Sequence, residues 1–277
     1  MFSENAYAKV NLSLLITGKR EDGYHLLDTV MQTVSLFDTV KVYKNEENII
    51  SVICDNAAIS GSDNICYKAA SMFYEHTGIN KGVTIEIIKR IPLAAGLGGG
   101  SADAAAVLRL LNKLYGEPLS YENLCEIALQ LGADVPFCIK GGTARVTGIG
   151  EYLEPVDIAL QMYIVLIKEG IKNSTAQMYK EFDMKCEFSH KDTVERMVDS
   201  LKQGNYESFI NTVYNDFSLV SDYDEIKNQL YLAGADTVSV SGSGPTVMGI
   251  FKTKEKADNA AKTLSEKYTN VFSVYGV

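Results

Sequence analysis

The segment "LAAGLGGGSADAAAVLRLL" at 93–111 lies between a strand-like run and an obvious helix, and it constrains this chain more than any other stretch. Its nineteen positions hold four glycines and six alanines. Glycine this dense raises the entropy lost on folding. The segment is therefore either a loose or tightly packed connector, or a loop that wraps its backbone around something. Strand, glycine-rich loop and helix N-terminus together form a recipe for holding phosphate. Missing side chains let backbone N–H groups approach the anion, and the helix end adds partial positive charge.

Two familiar versions of that recipe do not fit. A Walker A loop ends in Lys then Ser or Thr, whereas here Gly100 is followed by Ser101 and Ala102. A dinucleotide fingerprint can start at Gly96 and Gly98, but its third glycine position holds Ser101. A predicted helix at 120–131 also fills the stretch where an acidic residue should close a second strand. What is left is a lysine-free cradle whose cation must come from elsewhere. Ser101 reads as the helix N-cap or a magnesium ligand, and Asp103 as a first-turn acid or a magnesium ligand. Nothing local decides between them.

Charge bears on what the anion is. Lys and Arg number 26 against 35 Asp and Glu, a net charge of -9. That balance argues against a nucleic-acid or anionic-membrane binder, yet a few cations in one cleft can still serve a small anionic substrate. The longest apolar run, "MYIVLI" at 162–167, is far too short to span a bilayer. Glu4 and Asn5 stand where a signal peptide would need a basic, then apolar, start. The five cysteines (54, 66, 125, 138, 186) form no C-x-x-C pair. Cys186 has His190 nearby, but one such pair does not make a zinc site. Reduced thiols in a cytoplasmic protein are the expectation.

The 277 residues, 46% hydrophobic, suffice for two ordinary domains with real cores. Alternation at 6–16 predicts a strand, 19–25 a charged turn, 30–43 one or two strands, and "KNEEN" at 44–48 a hairpin tip. A helix at 64–76 has Asp63 available as its cap. The run 82–92 is a strand with Val83, Ile85 and Ile87 on one face. The helix after the glycine loop reaches about Tyr115, with Val107, Leu108, Leu111 and Leu114 in register. Another starts at Ser120 and closes at Gly132 as its C-terminal cap. "EYLEPV" at 151–156 reads as a crossing segment before a strand at 162–168. Two or three helices are expected between 174 and 232, then two strands about a Gly-Ser-Gly-Pro turn at 237–251, a helix at 254–268 and a last strand. Strands and helices mix without a βαβ rhythm, which predicts an α+β architecture with domains at 1–154 and 155–277.

"PLAAGLGGGSADAA" resembles the phosphate-binding motif of the GHMP small-molecule kinases. "AYAKVNLSL" at 6–14, "LGADVPFCIKGGTA" at 131–144 and "VSGSGPTVMGIF" at 240–251 follow in family order. They are most similar to the branch that phosphorylates a cytidine diphosphate-linked methylerythritol in the non-mevalonate isoprenoid route. The resemblance implies a two-domain fold: an N-terminal domain like ribosomal protein S5 domain 2, which binds ATP, and a C-terminal ferredoxin-like domain. It implies ATP with Mg2+, and a nucleotide seat at Asn64, Pro92, Leu93, Ala94, Ala95, Gly96, Leu97, Gly98, Gly99, Gly100, Ser101 and Ala102.

By the same resemblance Asp134 is the general base for the substrate's 2-hydroxyl. Lys9 keeps that carboxylate ionised and counters charge on the phosphoryl group in flight. Spacing alone makes Asp134 an N-cap and Lys9 a solvated strand lysine. Asn11, Tyr24 and His25 are implied in the cytidine pocket, with Tyr179 as a second stacking face, Thr175 nearby, and Gly242 and Gly244 closing on the diphosphate. Many members carry a second Ser or Thr where this chain has Ala102, and the glutamate some use for magnesium is not identifiable, so the metal ligands stay unknown. The alternatives are another GHMP kinase of the homoserine or mevalonate type, or a catalytically silent nucleotide-binding sensor. The expected partner is a small molecule, with no nucleic acid or membrane, and the chain is a monomer or a homodimer.

Overall fold

The strand expected at 6–16 runs from Phe2 to Lys19, and the one or two expected at 30–43 are a single strand, His25–Lys44. The structure, a computed structural model, describes residues 1–79, 81–170, 174–189 and 192–277; His190 lies outside them. In chain order the strands are β1 (Phe2–Lys19), β2 (His25–Lys44), β3 (Ile50–Cys54), β4 (Val83–Ile88), β5 (Thr143–Gly148), β6 (Tyr152–Pro155), β7 (Tyr163–Lys168), β8 (Tyr214–Asn215), β9 (Thr237–Val240), β10 (Thr246–Phe251) and β11 (Val271–Tyr275). The helices are α1 (Ile65–Thr77), α2 (Gly99–Leu114), α3 (Tyr121–Leu131), α4 (Val135–Lys140), α5 (Thr175–Lys185), α6 (Thr193–Gln203), α7 (Tyr206–Ile210), α8 (Asp224–Leu232) and α9 (Lys254–Leu264).

The chain divides into two compact units. One comprises Met1–Ala8, Leu36–Leu93 and Gly98–Gly141; the other comprises Lys9–Ser35, Ala94–Leu97 and Gly142–Val277. β1 and β2 contribute residues to both.

In the first unit β3 lies parallel to β4, and β4 lies antiparallel to Thr39–Lys44 of β2. "KNEEN" is therefore not a hairpin tip, because β4 sits between β2 and β3 and takes up the facing edge of each. Helices α1 to α4 pack around one core that includes Phe73, Ile85, Ile87, Leu108, Leu111 and Ile127. The alanines of α2 at 102, 104, 105 and 106 are all buried, as are Val107, Leu108 and Leu111, so α2 is enclosed well beyond a single stripe.

In the second unit Leu27–Gln32 of β2 pairs antiparallel with β5, β6 pairs with β5, and β8 pairs parallel with β1 at Ser13 and Leu14. "EYLEPV" thus holds a strand rather than a crossing segment. A separate antiparallel sheet runs β11-β7-β10-β9, with α9 laying Ala257, Ala260, Ala261 and Leu264 into its core. Among the described residues, four helices, α5 to α8, occupy the stretch where two or three were expected. The extra break falls where Gly204 ends α6 in a left-handed conformation and the Asn205 side chain caps α7.

Gly132 closes α3 as expected, its N–H bonding the Ala128 carbonyl. Two other expected caps differ. The Asn64 side chain, not Asp63, caps α1. At α2 the cap is Gly98, so the helix starts earlier than Ser101.

Candidate active site

The glycine loop is held in shape by left-handed backbone at Ala94, Gly96 and Gly98 (φ 51°, 75° and 68°). A side chain at Gly96 would place its Cβ 2.5 Å from the Ser241 carbonyl oxygen, so that position must be glycine. Gly98 offers no side chain to cap α2. The Ala102 N–H makes the first intrahelical bond, to the Gly98 carbonyl at 2.8 Å. The N–H groups of Gly99, Gly100 and Ser101 therefore have no acceptor within the helix. Gly100 is exposed, and a Cβ there would meet only Ile65 Cγ2 at 3.7 Å. Gly99 and Gly100 carry no side chain of their own to screen these N–H groups, so the turn fits a phosphate group.

Ser101 is consequently a residue of the first turn, not its cap. Asp103 is likewise not a first-turn acid. It points into the first unit, where Lys89 Nζ donates to Asp103 Oδ2 at 2.6 Å and also pairs with Asp38 Oδ2. Asp38 Oδ1 accepts from the N–H groups of Arg90 and Ile91. Burial pushes the Asp103 carboxyl up to about 7 against the pull of Lys89. Burial alone would lower Lys89, but its two carboxylate partners outweigh it and raise that ammonium. Lys89 and Asp38 are absent from the sequence-based site. The one local hint was a Lys-Arg pair just before the loop; an acid inside a strand carries no such hint.

Asn64 stands at the start of α1. Its Oδ1 caps the helix by accepting the Cys66 N–H at 2.8 Å, and its Nδ2 donates to the Ile59 carbonyl at 2.7 Å, so both ends of the amide are engaged. Pro92 is half-buried and Leu93 is exposed. Asp134 occupies the N-cap position of α4, with Pro136 in the first turn, but its side chain makes no capping hydrogen bond. The structural role that spacing suggested is therefore not the one its carboxylate takes.

In the second unit Lys9–Ile16 is buried throughout. Lys9, only 4% exposed, is not a solvated strand lysine. Buried polar groups must be paired, and here they form a connected set. Lys9 Nζ donates to Asn11 Oδ1 at 2.8 Å, and Asn11 Nδ2 donates to Thr29 Oγ1 at 2.9 Å. The Asn11 N–H reaches Ser241 Oγ at 3.4 Å, and Ser241 Oγ donates to the Gly96 carbonyl at 3.1 Å. The Lys9 N–H bonds the Leu97 carbonyl at 2.9 Å, and the Thr246 N–H bonds that of Ala95 at 3.3 Å. Lys9, Asn11 and the 241–246 turn thus grip the crest of the glycine loop at Ala94–Leu97. Gly242 and Gly244 both have positive φ, and a Cβ at Gly244 would lie 2.6 Å from Tyr223 Oη.

The His25 ring stacks on Tyr179 with centroids 4.3 Å apart, and Tyr179 meets Phe217 edge-on at 5.0 Å. His25 Nε2 is 2.7 Å from Asp183 Oδ1, and Lys19 Nζ donates to Asp183 Oδ2 at 2.5 Å. Burial pushes Asp183 up, but hydrogen bonds from Lys19 and His25 overcome it and hold the carboxyl below its ordinary value. Tyr24, beside His25, is 61% exposed, an uncovered ring next to an ordered one. Thr175 Oγ1 and Ser243 Oγ are 3.0 Å apart. Asp183 was not foreseen, because nothing in "KEFDMK" distinguishes it from a solvated helical acid.

The chain is similar to known proteins over nearly its whole length. The profile "GHMP kinases N terminal domain" matches residues 64–142, and "GHMP kinases C terminal" matches 197–270. The 4-diphosphocytidyl-2-C-methyl-D-erythritol kinase of Thermoanaerobacter pseudethanolicus is 43% identical over 273 residues, 96% of this chain and 93% of that protein. That of Desulfitobacterium hafniense is 42% identical over the same shares. A crystal structure of 4-(cytidine 5'-diphospho)-2C-methyl-D-erythritol kinase superposes with a TM-score of 0.82 at 32% identity, covering 100% of both chains. Homoserine kinase from Cytophaga hutchinsonii shares the fold, with a TM-score of 0.75 at 17% identity over 99% of this chain and 94% of that one. The chain therefore belongs to the GHMP kinases and, among them, to the 4-diphosphocytidyl-2-C-methyl-D-erythritol kinase family.

Proposed function

We propose that this protein transfers the γ-phosphoryl group of ATP to the 2-hydroxyl of 4-diphosphocytidyl-2-C-methyl-D-erythritol, a step of non-mevalonate isoprenoid synthesis. The observation that carries the reading is the open first turn of α2, with Gly98 left-handed and no capping side chain, in a chain whose relatives over 96% of its length bear that kinase name. The N–H groups of Gly99, Gly100 and Ser101 receive the phosphates. Asp134, whose side chain does not cap α4, takes the proton of the attacking hydroxyl. Lys9, held by Asn11, supplies positive charge against the phosphoryl group in transfer. Tyr24, with the ordered His25–Tyr179 stack beside it, provides the aromatic surface for the cytosine. Asn11, Thr175, Gly242 and Gly244 line the substrate's side. Magnesium bound with the nucleotide would neutralise phosphate charge; no ligand for it is assigned among this chain's residues.

Purified protein should form ADP from ATP only when this cytidylyl alcohol is supplied, with mevalonate and homoserine inert. Faster turnover of either control would move the chain to another GHMP activity. Nucleotide binding with no turnover of any of the three would make it a silent sensor.

A further inference from the structure

The buried Asp38–Lys89–Asp103 cluster lies directly under the turn that the proposed function assigns to the nucleotide phosphates, and that function leaves it unused. A Cβ built on Gly99 would fall 3.4 Å from Lys89 Nζ and 2.9 Å from Ile91 Cγ2, so the ammonium sits against the first residue of α2. Its side chain is 9% exposed, and those of Asp38 and Asp103 are 0% and 4%. Lys89 Nζ is anchored from β2 through Asp38 and from α2 through Asp103. Asp38 is itself fixed by the N–H groups of Arg90 and Ile91, the two residues that lead into the loop. The cluster therefore ties the chain entering the glycine loop to the helix leaving it. One group in it is unmatched: Asp103 Oδ1 is buried without a hydrogen-bond partner. Two carboxylates against one ammonium leave an excess negative charge just where an anion is to bind, unless one of them holds a proton.

We propose that Asp103, in the cluster that Lys89 holds under the first turn of α2, takes up a proton when nucleotide binds, so that the buried cluster presents no net negative charge to the phosphates. This rests on the reading of that turn as the phosphate seat. A carboxyl that titrates near neutrality suits the task, because an arriving polyphosphate raises its proton affinity further. The groups facing Asp103 are consistent with this. From the end of β4 comes Lys89, from β2 Asp38, and from α1 Cys66, whose thiol burial and Asp103 keep protonated. Arg109, further along α2, is committed to Glu4 and to the Cys138 and Ile139 carbonyls of α4.

Titration calorimetry with magnesium-saturated ADP at pH 7.5, in two buffers of different ionisation enthalpy, reads the proton directly. Wild type should take up a substantial fraction of one proton per ADP at pH 7.5 and almost none at pH 5.5, where Asp103 already carries it. Asp103→Asn should take up none at either pH. In turnover, the KM for ATP of wild type should rise roughly fivefold from pH 6 to pH 8, as one charge at nucleotide distance dictates. The variant's should follow only the nucleotide's own titration, and the KM for the alcohol should move in neither. Equal uptake in the two proteins overturns the proposal, as does wild-type binding at pH 7.5 without uptake, a result that needs no variant to fold. Because ADP binding needs no alcohol, uptake without phosphorylation would refute the proposed reaction and leave this inference standing.

Discussion

At the scale of single residues, Lys9 and Asp134 each depart from the role their local sequence suggests. A lysine in a strand ordinarily reaches solvent, yet Lys9 is buried and bonded to Asn11. An Asp two residues before proline ordinarily caps a helix, yet the Asp134 side chain does not cap α4. Such departures from local rules mark functional positions more often than structural ones. Replacing Asp134 by Asn should lower kcat by roughly 10²- to 10⁴-fold, the usual contribution of a general base, while ATP affinity stays within about twofold. Single-turnover kinetics with a separate nucleotide-binding titration will separate the two. A kcat near that of wild type would mean that the phosphate of ATP, not Asp134, accepts the proton.

At the scale of elements, the glycines of the loop fall into two kinds. Gly96 is dictated by its own unit: φ is 75° and the Ser241 carbonyl would lie 2.5 Å from a Cβ. Gly100 is dictated by nothing within its unit, since its nearest neighbour would be an ordinary 3.7 Å contact. Gly96→Ala should therefore destabilise the protein by about 2 kcal/mol or more, through left-handed strain and the clash. Gly100→Ala should melt within a degree or two of wild type yet bind ATP at least about tenfold more weakly, because a methyl group would cover N–H groups meant for phosphate. Thermal melts and ATP titrations of the pair test this. A Gly100→Ala protein with unchanged ATP affinity would place the phosphates elsewhere.

At the scale of the whole molecule, stability should carry the signature of Asp103. Its folded-state value is raised, to about 7, above that of an unfolded aspartate. The folded protein therefore binds the extra proton between about pH 4 and pH 7. In that window stability falls as pH rises, and above pH 7 the full penalty of a buried carboxylate is present. Asp103→Asn removes the group, so its melting temperature relative to wild type should improve from pH 5 to pH 8. A difference that stays constant with pH would mean that Asp103 titrates as an ordinary acid in the fold. The excess of acidic residues, 35 against 26 basic ones, makes local placement of cations matter all the more in a protein that handles phosphates.

Sequence alone determined what is periodic or contiguous. The glycine loop between strand and helix, α3 from its Ser120 cap to Gly132, and the β9–β10 hairpin were all legible. Each rests on residues within one or two turns or pleats of one another. Only the tertiary structure decided which polar groups are buried and which partners meet them. Lys89 joins Asp38 and Asp103 across 51 and 14 positions, and His25 meets Asp183 across 158. No local pattern encodes such pairings. They follow once packing removes water from both faces of a strand such as Lys9–Ile16 and obliges every polar side chain there to find a partner.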